Sequence, residues 1–198
     1  MPSIWGETIA EHRVLVRGRL LDAFAALVQE RGLEATTLAA VAQRAGIARS
    51  AVYNHVRDKH DLLLAHAQRS MREATARLAQ ELDPSLPPPE RLARYVQGAF
   101  RSFADDPAAG MDVLANLDAE QQRELLAMLR PVQQMLHEIL VDGLADGSFA
   151  GSSAEELSRF VSAVVDGHRP ALARGHMDPG EAARACTRLL LDGLAGRG

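Results

Sequence analysis

One cysteine, one lysine, one tryptophan and two tyrosines are all that this 198-residue chain holds of those residue types. A single cysteine, Cys186, excludes an intrachain disulfide, and its place beside Leu189 and Leu190 reads as a buried thiol rather than a redox sensor. No stretch reaches the roughly 18 consecutive apolar residues of a membrane span. The N-terminus also lacks the cationic start and apolar run of a secretory signal, so a cytoplasmic protein with no membrane partner is expected. There is no His-x-x-x-His, no cysteine pair and no glycine-rich phosphate loop. Glu138 beside His137, and Asp166 near His168, come nearest to an acid/base or metal pair. Nothing at supporting spacing joins either pair, so no enzyme, metal or cofactor is expected. Alternating apolar and polar strands are missing too, and only helical periodicity is present.

Charge is unevenly spread. The net charge of −4 argues against nucleic acid, whose readers are usually basic. Residues 1–60, however, hold eight Arg or Lys against six Asp or Glu, whereas 61–198 hold fourteen against twenty. Between Thr36 and His60 the balance is four to one, with His55 and His60 in addition. The basic character is local.

That basic stretch lies within a run of 28 residues, Thr36 to Leu63, which also holds the only lysine, Lys59. Leu38, Val41, Ala42 and Ala45 recur at helical spacing, with Thr36 or Thr37 able to cap the first free amides. Gly46 permits a sharp helix exit. Ser50 offers a cap for a second helix, Ala51 to His55, in which Val52 and Val56 share the inner face. Arg49, Ser50, Ala51, Asn54 and the tips of Tyr53 and His55 are left outside. Asp58 reads as the N-cap of a third helix. That puts Lys59 in its first turn, where free amides and an ammonium act on one phosphate together. Two short helices about a glycine turn, with cations at the joints, form a helix-turn-helix.

The pattern Thr36-Thr37-Leu38, Val41-Ala42, Ala45-Gly46-Ile47, Val52-Tyr53, His55-Val56, Lys59 and Leu62-Leu63 resembles the N-terminal domain of the TetR family of transcriptional regulators. Leu20 to Phe24 and Glu30-Arg31-Gly32 precede it in the same register, and the likeness runs from Arg19 to about Leu64. Val56 departs from the phenylalanine many members carry there. The resemblance implies phosphate contacts from Thr37, Tyr53, His55 and Lys59, and base-edge contacts from Arg49, Ser50, Ala51 and Asn54. Arginine can pair bidentately with guanine and asparagine with adenine, whereas Ala51 offers a thymine only a methyl group.

Flanking signals are helical as well. Thr8 with Glu11 has the form of a capping box opening a first helix marked by Val14, Leu20, Leu21, Phe24, Leu27 and Val28 and ending at Gly32. The helix begun at Lys59 should run to about Glu81 as a lever, broken by Pro84, Pro87, Pro88 and Pro89. A helix with Leu92, Tyr95, Val96, Ala99, Phe100 and Phe103 on one stripe follows, stopped by Asp105-Asp106-Pro107. Further helices are expected over 108–116, over 119–144 with an interruption at Pro131, from Ser153 until Pro170, and from Asp178 to about Leu194. Arg169 is read as a surface residue.

The expected fold is therefore all-α with about nine helices. Residues 1–58 would form a three-helix DNA-binding domain and 59–198 a helical ligand-binding and dimerisation domain. The resemblance places a small-molecule effector pocket among the middle helices, with Phe100, Phe103, Met111, Leu114, Met128, Met135, Phe160 and His168 as candidate linings; each is also explicable as plain core. It implies a homodimer interface on the last two helices, for which Val161, Val164, Val165, Leu189, Leu190 and Leu194 are candidates. The function implied is a ligand-responsive repressor bound to a palindromic double-stranded DNA operator. A helical protein-interaction module that never touches DNA is the rival.

Overall fold

The computed structural model describes residues 4–106 and 113–194, and among them the backbone is helical or turn, with no strand. Ten α-helices follow in order among these residues: α1 (Ile4–Arg31), α2 (Leu38–Ala45), α3 (Arg49–Val52), α4 (Lys59–Glu81), α5 (Pro88–Asp105), α6 (Ala119–Ala127), α7 (Arg130–Ala145), α8 (Ala154–Gly167), α9 (Arg169–Ala173) and α10 (Pro179–Leu194). A 3-10 turn at Leu114–Asn116 precedes α6 and covers the end of the short helix expected over 108–116, most of the rest of which lies in 107–112, outside the described residues. The number exceeds nine because the helix expected over 119–144 is split into α6 and α7, and because Pro170 does more than bend its helix. Proline there cannot continue the ladder of α8, and α9 restarts around it as a separate five-residue helix.

Most boundaries follow local chemistry. Gly32 and Gly46 end α1 and α2 at φ 80° and 67°, a conformation that favours glycine. Asp118 and Gln121 make a capping box at α6, Ser153 accepts the Glu156 amide at α8, and Asp178 accepts the Glu181 amide at α10. Two expectations in α1 are corrected. The helix begins by Ile4 and runs through Thr8, because helix-compatible residues extend upstream of that pair. Val14 is 72 % exposed and lies off the buried stripe, which begins in earnest at Leu20.

Two apolar clusters organise the molecule. One gathers Leu20, Phe24, Leu27 and Val28 of α1 with Val41, Val52 and Val56 of the short helices, Leu62 and Leu63 of α4, and Leu117 and Leu125 near α6. The other is built around α5, whose Leu92, Val96 and Phe100 are wholly buried against α7, α8, α9 and α10. Cys186 is buried in this second cluster, and burial pushes its thiol pKa up. Arg91, also buried, pairs through Nη1 with Asp142 of α7, while its buried Nε has no hydrogen-bond partner.

Helix α4 crosses between the clusters, giving Leu62 and Leu63 to the first and Leu78 to the second, with His66 between them. His66 of α4 packs against Phe24 of α1, with ring centroids 6.2 Å apart, while its Nε2 lies 3.1 Å from Asp106 at the end of α5. Ser70, one turn further along α4, donates to the other oxygen of the same carboxylate at 2.6 Å. Because a carboxylate only accepts, the His66 proton resides on Nε2 when the ring is neutral.

Candidate nucleic-acid interface

Thr37 has extended backbone and its hydroxyl accepts the Ala40 amide at 3.2 Å, so it, not Thr36, caps α2. Thr36 is instead buried, donating to the Gly32 carbonyl at 2.8 Å. After Gly46 the Ile47 amide reaches back to the Ala42 carbonyl at 2.9 Å, and the Ile47 side chain packs on the first cluster. This fixes the angle at which α3 leaves.

Helix α3 begins one position before Ser50 and lasts a single turn. Its N-cap is Ala48, which has no side-chain oxygen, so the capping role expected of Ser50 is not realised. The chain then continues through turn hydrogen bonds, Asn54 to Ala51 at 3.1 Å and His55 to Val52 at 2.9 Å. Val52 and Val56 point inward and are buried. Arg49, Ser50 and Asn54 are exposed, Tyr53 is 58 % exposed, and Ala51 and His55 are half-buried at the edge. A four-residue helix has no stability of its own. Its rigidity comes from the two valines, which leaves the outward residues free of structural duty.

Asp58 caps α4 as expected, accepting the amides of His60 at 2.8 Å and Asp61 at 3.0 Å. Asp61 does not complete a capping box. Arg57 engages it with its backbone amide at 2.9 Å and with Nε and Nη2 at 2.8 Å each. That side-chain pair is the main cause holding the Asp61 carboxyl below the usual carboxylate range, with Arg17 adding a little.

The cations around this surface are largely paired within the protein. Arg44 meets Glu30 at 2.6 Å, Arg57 meets Asp61, and the Lys59 ammonium lies 3.3 Å from Glu34. The i,i+4 spacing of Arg57 and Asp61 could have been read from the sequence. The partners of Arg44 and Lys59 are 14 and 25 residues away, and only the fold brings them close.

The remaining candidate residues fall into separate places. Phe100, Phe103 and His168 form one aromatic group, Phe100 lying 6.4 Å from Phe103 and 5.1 Å from His168. His168 Nδ1 donates to the Val164 carbonyl at 2.7 Å, which leaves Nε2 as the free ring nitrogen. Arg169 is not simply a surface residue. Its guanidinium stands 4.2 Å over the Phe103 ring and pairs with Asp166. Nearby, burial pushes the Tyr95 phenol up to about 12, with Asp166 adding to the shift and Arg169 opposing it. Met135 packs half-buried on the same cluster, and Met128 is half-buried at the end of α6. Leu114 instead belongs to the first cluster, Phe160 is 61 % exposed on α8, and Met111 lies outside the described residues.

Of the residues expected at an interface, Val161, Val165, Leu190 and Leu194 are buried within this chain and Val164 is half-buried. Leu189, at 66 % exposure, is open to solvent on α10. Among the described residues no helix is long and apolar enough to cross a membrane.

Comparison with known proteins bears on both halves of the chain. Residues 20–66 match the model for bacterial regulatory proteins of the tetR family, and residues 85–194 match a tetracyclin repressor-like C-terminal domain. The HTH-type transcriptional regulator BetI of Burkholderia ambifaria is 33 % identical over 178 residues, covering 84 % of this chain and 87 % of that protein. The HTH-type transcriptional repressor KstR2 of Mycolicibacterium smegmatis is 28 % identical over 142 residues, 67 % of each chain. The fold is similar to that of FadR from Bacillus subtilis, solved with stearoyl-CoA, at a TM-score of 0.76 and 19 % identity over 89 % of this chain and 98 % of that one. With the helix-turn-helix and the helical body both matched, this chain belongs to the TetR family of bacterial regulatory proteins.

Proposed function

We propose that this protein is a ligand-responsive transcriptional repressor which binds a palindromic operator as a dimer and is released by a small molecule. The carrying observation is the presentation of α3: Val52 and Val56 anchor it, while Arg49, Ser50, Tyr53 and Asn54 face outward beside the capped start of α4. In this reading Thr37, Tyr53, His55 and Lys59 hold phosphates, while Arg49, Ser50, Ala51 and Asn54 face base edges. Residues 1–58 act as the reader, and 59–198 sense the ligand and dimerise. The name of KstR2 supports repression as the sign of control.

One three-helix head covers little DNA, so tight binding calls for two heads about a helical turn apart. The second copy is best placed against α8 and α10, where Phe160 and Leu189 stand exposed and Val164, one turn along α8 from Phe160, is half-buried. Their neighbours Val161, Val165, Leu190 and Leu194 then support the interface from within. An effector is best placed against the aromatic group of Phe100, Phe103 and His168, with Arg169 and the free His168 nitrogen as polar anchors. Its binding would shift α4 to the extent that it favours the form not bound to DNA.

Fluorescence anisotropy on fragments from upstream of the protein's own gene tests the reading. Lys59→Ala should weaken all duplexes alike and lower the salt slope by about 0.9 for each phosphate that the protein no longer neutralises. Asn54→Ala should instead change sequence preference, by about 1–3 kcal/mol at one base pair. Salt-insensitive binding, or none, would sink the proposal.

A further inference from the structure

Lys59 is placed to receive a phosphate, yet in the free protein a carboxylate already occupies its ammonium. Glu34 Oε2 lies 3.3 Å from Lys59 Nζ, and the two side chains differ sharply in setting, 88 % exposed for Glu34 and 26 % for Lys59. The carboxylate is therefore open to solvent while the lysine side chain it pairs with is largely covered. It is not carried by a loose loop. Leu33 before it is buried in the first apolar cluster, and Thr36 after it is buried with its amide on the Leu33 carbonyl at 3.1 Å and its hydroxyl on Gly32. Three residues beyond Glu34 comes Thr37, the cap of α2 and another phosphate candidate.

We infer that Glu34 is an affinity-setting residue, an internal surrogate for phosphate that DNA must displace from Lys59 before the clamp can close. This rests on the nucleic-acid reading of Lys59 proposed above. The physical reason is competition between anions. A phosphate oxygen reaching Lys59 breaks the existing ion pair and brings a second negative charge beside Glu34, which must then swing away into solvent. The cost is the same whatever base sequence lies in the groove, because phosphates carry no sequence information. Glu34 thus lowers affinity for operator and for unrelated DNA by a common factor. That keeps a head of modest basic charge off bulk DNA and within the range where a ligand can release it. Exposed ion pairs are weak, so the effect should be about three- to fivefold per head, and about tenfold or more for two heads.

The test uses the full-length protein with Glu34→Gln, Lys59→Ala and both together, titrated against a scrambled duplex and an upstream promoter fragment at low salt. Glu34→Gln should tighten both duplexes by the same factor, and the gain should disappear when Lys59 is alanine. Thermal melting should be unchanged, since the Glu34 side chain is largely in solvent. Wild-type affinity in Glu34→Gln overturns the inference. So does an undiminished gain in the double variant, since Glu34 would then act through the general field of the head and not on Lys59. If the wild-type protein binds neither duplex, the regulator reading itself fails, which is a separate result.

Discussion

Alanine is the better helix former, yet Gly143→Ala in the last turn of α7 should destabilise this protein. A Cβ at residue 143 would lie 2.1, 2.5 and 2.8 Å from three ring carbons of Phe149, closer than van der Waals radii allow. The ring has no easy retreat. Phe149 is 3 % exposed, its amide donates to the Gly143 carbonyl at 2.8 Å, and the next amide, of Ala150, is tied to Leu194 at the end of α10 by 2.7 Å. Helix propensity favours the alanine by about 1 kcal/mol. Against this, overpacking costs about 1–3 kcal/mol and full loss of a buried ring about 3–5 kcal/mol. The net loss is then about 0–2 kcal/mol if the ring shifts and about 2–4 kcal/mol if it is expelled, and a value of about 2 kcal/mol is expected. Gly18→Ala in α1 is the control, because a Cβ there meets nothing within 4 Å and should stabilise by about 0.5–1 kcal/mol. Urea unfolding followed by circular dichroism, at one protein concentration, reads both. A Gly143→Ala protein as stable as wild type would refute the packing described for Phe149.

Acid should expose the Arg57–Asp61 pair. The Asp61 carboxyl titrates below its ordinary 3.8 in the folded protein, so its contribution is present above that pH and lost as pH falls through the depressed folded value. Asp61→Asn should therefore lose less stability than wild type between neutral and acidic pH in parallel urea titrations, and an unchanged difference would contradict the assigned pairing. Phe160→Asp combined with Leu189→Asp should yield a folded monomer by analytical ultracentrifugation, with weakened operator binding. A dimer that survives both charges would place the interface elsewhere.

The sequence revealed boundaries better than it revealed neighbours. Helix α4 starts at Lys59 and ends at Glu81 as expected, because an aspartate cap and a proline cluster act within a few residues of the ends they control. The start of α1 and the cap of α3 depart from expectation for a related reason. Thr8 and Ser50 have capping chemistry but sit where the chain is already helical. Apolar spacing on α8 and α10 identifies residues that avoid water, and does not say which chain covers them. Val161 and Leu190 are covered from within, whereas Phe160 and Leu189 stand open to solvent. The pairing of Glu34 with Lys59 is not legible in the sequence, since nothing local links it to a lysine 25 residues on.

The attachment of α4 through His66 has a mechanical consequence. His66 sits seven residues from Lys59 and fifteen from Glu81, so the fastening divides the helix into arms of about 10 Å and about 22 Å. A tilt of about 10° around that point carries the Glu81 end through about 4 Å but the Lys59 end through only about 2 Å, in the opposite direction. If α4 tilted there as a rigid rod it would behave as a reducing gear: movement at its far end would reach the proposed nucleic-acid face at half size and reversed, a scale suited to aligning or misaligning single hydrogen bonds.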